Sequence, residues 1–146
     1  MNNSKARGQT KSKERVRDHG EVFTAEREVK AMCDLVKDET ERIDSRFLEP
    51  ACGDGNFLAE ILTRKLAVVR KKYGKSHLDY EKNAVLAASS IYGVDILIDN
   101  VIACRERMFG IWNHQQVRTR QKGEEGERGE TFRERKARVD GGRKGI

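Results

Sequence analysis

Two features of this chain could do chemistry: a glycine-bearing run at Phe47–Leu58 and an acid at Asp95. The run reads F-L-E-P-A-C-G-D-G-N-F-L. Its apolar lead-in, rigid Pro50, two glycines one residue apart and following apolar period predict a strand, a tight loop and a helix start. Glycine lets the backbone take φ > 0 and lets a ligand approach the main chain. The first N–H groups of the following helix have no intrahelical acceptor, so they face whatever occupies the loop. Asp95 is the acid near the end of the run I-Y-G-V-D-I, Ile91–Ile96, which reads as a second strand. A carboxylate at the carboxyl end of such a strand can accept hydrogen bonds from both ribose hydroxyls of a nucleoside. Taken alone, the first run is also an ordinary strand–turn–helix and Asp95 a solvated acid. It is the pair that favours a nucleoside-type ligand.

Two other nucleotide loops fit less well. A G-x-G-x-x-G/A dinucleotide loop needs a small third residue for close helix–strand packing. Counting from Gly53 puts Leu58 there, and the one G-K-S, Gly74-Lys75-Ser76, has Val69 where a Walker A loop needs its first glycine. About 40 residues separate Gly55 from Asp95, twice the ~20 of a minimal βαβ dinucleotide unit. An additional helix between them accounts for the excess.

The elements that must hold these residues follow from periodicity. Ala25 to Lys37 places Val29, Met32, Leu35 and Val36 at helical spacing, with Thr24 as the expected N-cap, Phe23 as a staple, and Glu26 and Glu28 in the first turn. Phe57 to Lys72 sets Phe57, Leu58, Ile61, Leu62, Leu66 and Val69 on one face. Glu60, Arg64, Lys65, Arg70 and Lys71 are expected on the opposite one. Gly74 is the expected stop. An Ala-rich helix is predicted over Tyr80–Ser89, a strand over Ile91–Ile96, and a helix from Ile98 carrying Val101, Ile102, Met108, Phe109 and Trp112. Helix, strand, loop, helix, helix, strand, helix is the opening of an α/β sheet with parallel strands and right-handed crossovers.

The Phe47–Leu58 run resembles motif I of S-adenosylmethionine-dependent DNA methyltransferases, in the E-P-A-C-G-x-G-x-F-L form of the adenine-N6 enzymes of restriction–modification systems. I-Y-G-V-D-I resembles their motif II, and Val22-Phe23-Thr24 their motif X, usually F-T-P, with Ala25 standing where the proline would be. The resemblance covers roughly residues 19–112. It implies a partial Rossmann-like methyltransferase fold, a parallel sheet with flanking helices, and S-adenosylmethionine as cofactor. It also implies that Glu49 contacts the methionine amino group, that Gly53 and Gly55 shape the loop and that Asp95 binds ribose. Thr24, Ala51, Asn56 and Ile96 complete the expected cofactor-binding set. DNA is the partner so implied.

Composition divides the chain. Residues 1–19 and 113–146 each carry a net charge of +4, and 20–112 carries −2. A flexible basic arm (1–19), the cofactor-binding part (20–112) and a disordered tail unlike the family (113–146) are therefore expected. Basic ends suit phosphate neutralisation, although solvated low-complexity ends are the commoner explanation. Three widely spaced cysteines give no metal or disulfide pattern, and no long apolar run suggests a membrane span. A reduced, cytoplasmic protein is expected. The only proline is Pro50, so the family's catalytic [DNS]-P-P-[YFW] motif, which holds the flipped-out base, is absent. No catalytic or metal-ligating residue is assigned. The expectation is a methyltransferase fragment that is inactive alone. The rival readings are a non-enzymatic fragment or small nucleic-acid-interacting protein, or a methyltransferase acting on RNA or protein.

Overall fold

The computed structural model describes the backbone of residues 13–19 and 24–141, with side chains in the last helix up to Thr119. Eight elements follow one another: α1 (Lys13–His19), α2 (Glu26–Leu35), α3 (Lys37–Thr40), β1 (Phe47–Glu49), α4 (Asn56–Tyr73), α5 (His77–Ser89), β2 (Ile91–Gly93) and α6 (Ile98–Gly141). The chain is α/β and mostly helical, with β1 and β2 paired in parallel. Phe47 faces Ile91, Leu48 faces Tyr92, and Glu49 faces Gly93. Phe47 N donates to Ser90 O and Val94 N to Glu49 O, so pairing extends past both ends of β2.

α4 is the central element. Leu58, Ile61, Leu62, Leu66 and Val69 are all buried. Each contributes about 1.5–3 kcal/mol relative to exposure. Leu62, Leu66 and Val69 pack with Tyr80, Ala84 and Ala87 of α5, and Met108, Ile111 and Trp112 of α6 close that cluster. On the other flank Ile61 packs with Val29 and Cys33 of α2. Ile91 of β2 touches both clusters and joins the sheet to the helices.

Lys65 corrects the expected polar face. It is fully buried within α4, because positions 58, 61, 62, 65, 66 and 69 share one helical stripe. Its ammonium donates to Ile43 O at 3.2 Å, to Ser45 O, and to Ser90 Oγ at 2.6 Å. It also lies 5.2 Å from the centre of the Phe47 ring. Burial of the amine pulls its pKa down to about 8. One charged side chain therefore ties the turn before β1 and the turn before β2 to the central helix.

Helix boundaries bring further corrections. Ala25, not Thr24, is the N-cap of α2: its carbonyl accepts from Glu28 N and Val29 N. Ala25 N in turn donates to Glu28 Oε2 at 3.3 Å, so the acid satisfies the end that no Ala25 side chain can. Val22 and the expected Phe23 staple lie outside the described residues. The expected single helix to Lys37 breaks at Val36 (φ −119°, ψ 35°) and resumes as the one-turn α3. α5 starts three residues before the expected Tyr80, because Ser76 Oγ accepts from Asp79 N and caps it. Gly74 does end α4, but with right-handed dihedrals.

At the chain ends, α1 makes Lys13–His19 helical where an unstructured arm is expected. Residues 1–12 lie outside the described set. The expected break at Trp112 is absent, since α6 runs on to Gly141. The segment beyond Trp112 is rich in Arg, Glu, Gln and Lys, all strong helix formers. Helix does not require the apolar period whose loss suggested an unstructured tail. Among the described residues no helix is long and apolar enough to cross a membrane, and no group of three or more His, Cys, Asp or Glu residues could hold a metal ion.

Candidate functional site

The loop between β1 and α4 is held as an extension of the sheet. Cys52 N donates to Val94 O at 3.0 Å, and Gly55 N to Cys52 O at 2.8 Å. Gly53 and Gly55 both have positive φ, +53° and +85°, and among the described residues no other residue does. Their requirements differ. A Cβ on Gly53 would meet nothing within 4 Å, so space beside it is open. A Cβ on Gly55 would lie 2.6 Å from Cys104 Sγ. Gly55 therefore meets both a dihedral and a steric demand.

The close packing that a dinucleotide loop obtains from a small third residue is met from the opposite partner. Leu58 fits because β2 presents Gly93, where a Cβ would come within 2.6 Å of Leu58 Cδ1. Gly93 in I-Y-G-V-D-I is thus a packing residue of the site.

Asp95 lies just beyond β2, not at the end of a strand reaching Ile96, because β2 stops at Gly93. Its carboxylate is already engaged. Oδ2 accepts from Gly53 N at 2.9 Å, and Oδ1 accepts from Leu97 N at 2.8 Å and from Asn100 Nδ2 at 3.3 Å. The acid therefore pins the glycine loop and caps the approach to α6. Besides the β1–β2 ladder, the two sequence runs that carry the resemblance are joined by this side chain.

α6 adds contacts that sequence reading missed. Asn100, Cys104 and Arg107 recur at helical spacing on one face. Asn100 meets Asp95, Cys104 packs on Gly55, and Arg107 meets the loop itself. The Arg107 guanidinium donates to Asp54 Oδ2 at 2.8 Å and to Asn56 Oδ1. The signal was present as that spacing, but a helix read only for its apolar stripe hides it. Burial raises the thiols of both Cys52 and Cys104; the Cys104 thiol pushes Cys52 further, to about 11, whereas its hydrogen bond with Cys52 partly offsets the rise at Cys104. Both stay protonated near neutrality and serve as packing groups.

The remaining expected residues are dispersed. Asn56 is the first residue of α4, whose N-terminus has no side-chain cap, and it lines a cleft of about 340 Å³ with Arg107. Glu49 is half-buried and lines a different, mainly apolar cleft of about 220 Å³ with Met32, Val36 and Phe57. Thr24 is half-buried and Ala51 exposed. Ile96 is 85% exposed beside Asp95 and offers a bare apolar side chain. The structure thus ties Gly53 to Asp95, keeps Gly55 and Asn56 on the same loop with Ile96 next to Asp95 in the chain, and puts Asn56 and Glu49 in separate clefts.

No family model matches the chain, and neither the curated proteins nor the solved structures contain a match to it.

Proposed function

We propose that this chain binds S-adenosylmethionine on the Gly53–Gly55 loop and belongs, by its sequence motifs, to the Rossmann-like adenine-N6 DNA methyltransferases. The observation that carries the reading is the 2.9 Å bond from Gly53 N to Asp95 Oδ2. It joins two runs 42 residues apart at the carboxyl ends of two parallel strands, the position where open α/β sheets bind nucleosides.

The residues present fit such a ligand. Open space beside Gly53 admits a close approach to the main chain. Ile96 supplies an apolar surface for an adenine ring. Asp95 supplies the ribose acceptor. A carboxylate has about four lone-pair positions, and three donors already use Asp95. The Asn100 contact, at 3.3 Å the longest, is the one a ribose hydroxyl would displace. When bound, the cofactor supplies an electrophilic methyl group. The chain has no [DNS]-P-P-[YFW] segment to hold a target amine, so the proposed role stops at binding the cofactor.

Isothermal titration with S-adenosylmethionine tests the reading. Asp95→Ala removes the ribose acceptor and is expected to weaken binding by about 1–3 kcal/mol. Because Asp95 also holds the loop, the shape-conserving Asp95→Asn is titrated beside it, with thermal melting as a check on folding. Equal affinity in wild type and both variants would overturn the ribose assignment, and no binding by folded wild type would overturn the function.

A further inference from the structure

The cleft beside the glycine loop carries charges of both signs. Arg107 reaches it from α6, Glu26 from the first turn of α2, and Glu60 from α4, with Asn56, Val29 and Thr63 among the rest of its lining. Its volume of about 340 Å³ lies at the lower end for small-molecule sites, ~300–1,000 Å³. Each charged group keeps capacity for a ligand. A guanidinium has five N–H donors in a rigid fork, and Arg107 spends two on Asp54 and Asn56. Glu60 uses Oε1 for Arg64, and Glu26 uses Oε1 for Lys30. Among the described residues the other oxygen of each acid makes no hydrogen bond.

A fork that binds carboxylates, facing two acids across one small cleft, suits a zwitterion. Adjacent loop residues link the cleft to the nucleoside end of the site: Asp95 accepts from Gly53, and Arg107 donates to the next residue, Asp54, and to Asn56 in the cleft lining. The geometry points to this cleft as the seat of the ligand's α-amino-acid end, with the carboxylate on Arg107 and the ammonium between Glu26 and Glu60. The inference rests on the proposed cofactor and reassigns its amino group from Glu49, which lines the separate apolar cleft on α2, β1 and α4.

The test is a cycle of ligands against variants, read by titration calorimetry. The ligands are S-adenosylmethionine, its decarboxylated form, and 5′-methylthioadenosine, which lacks the amino-acid end altogether. Wild type is expected to bind S-adenosylmethionine about tenfold or more tighter than the decarboxylated form, the scale of a charge-assisted hydrogen bond. Arg107→Met should abolish that preference and leave methylthioadenosine affinity unchanged, and Arg107→Lys should restore part of it. Glu60→Gln should weaken both amine-bearing ligands, whereas Glu49→Gln should weaken neither. If Arg107→Met weakens all three ligands equally, Arg107 only props the loop and the inference fails. It fails too if Glu49→Gln alone weakens the amine-bearing ligands. If wild type binds methylthioadenosine and S-adenosylmethionine equally well, this inference fails while the cofactor reading stands. If it binds none of the three, the cofactor reading itself falls.

Discussion

At the scale of single residues, the loop contrasts two glycines of the same motif. Both have positive φ, which is unfavourable for any residue with a Cβ, at roughly 1–2 kcal/mol. Only Gly55 is also crowded, by Cys104 Sγ at 2.6 Å, and overpacking adds about 1–3 kcal/mol. Gly55→Ala is therefore expected to destabilise the protein more than Gly53→Ala. Urea unfolding of the two variants checks the order, and a larger loss at Gly53 would contradict it. Replacing Cys104 by Ala should narrow the gap, since it removes the atom that Gly55 avoids. Asp95 behaves differently from either glycine. One carboxylate serves the loop, the turn into α6 and the Asn100 side chain, so its substitution should disturb local order as well as any ligand.

At the scale of elements, the tail of α6 makes a clear expectation. Forty-four residues at 1.5 Å per residue extend about 66 Å, yet among the described side chains the core contacts on α6 come from Cys104, Met108, Ile111 and Trp112. Ending the chain after Thr119 should reduce the helical circular-dichroism signal and leave the thermal midpoint nearly unchanged. A large fall in the midpoint would mean that the distal helix packs on the core. How much of this was legible in the sequence depended on what marked each element. α4 and the start of α6 were plain because their apolar residues recur at helical spacing over several turns. The two strands were located by β-branched and apolar runs beside glycines, although only three residues of each make the ladder. The start of α5 was hidden because its marker is a single serine cap and not a period. The length of α6 was hidden because its distal sequence has helical propensity without an apolar face. Of the site, the loop and Asp95 were legible as motifs. Arg107 was not, because a charged residue on a helix normally reads as solvated.

At the scale of the whole molecule, the sheet is covered on one side only by the described residues. α4 packs against it, while Leu48 and its register partner Tyr92 are 67% and 50% exposed on the other face, with Val94 and Ile96 beside them. Parallel strands are ordinarily covered on both faces, and contiguous exposed apolar surface promotes association. The chain is expected to bind an apolar fluorescent dye in its native state and to associate with rising concentration. Leu48→Lys with Tyr92→Lys should reduce both effects, measured by dye titration and sedimentation. Unchanged dye binding in the double variant would place the sticky surface elsewhere.

The buried Lys65 makes the stability of the entire fold a function of proton activity. Its amine titrates near 8 when folded and near its ordinary 10.5 when unfolded. Between those values the unfolded chain binds the extra proton, so unfolding free energy rises with pH across the window. Cys52 acts in the opposite sense from about 9 to 11, because its folded thiol holds its proton longer than the unfolded one. Comparing wild type with Lys65→Met isolates the lysine: wild type should gain stability relative to the variant between pH 8 and 10.5, and a flat difference would mean that the amine keeps its proton inside the fold. Folding below pH 8 buries a cation among two carbonyls, a hydroxyl and an aromatic ring, whereas folding at pH 10 buries the neutral amine and releases its proton. Because Cys52 takes up a proton on folding in the same range, the chemical trace of the lysine entering the core is a difference: refolding at pH 9–10 should release more protons, or take up fewer, in wild type than in Lys65→Met.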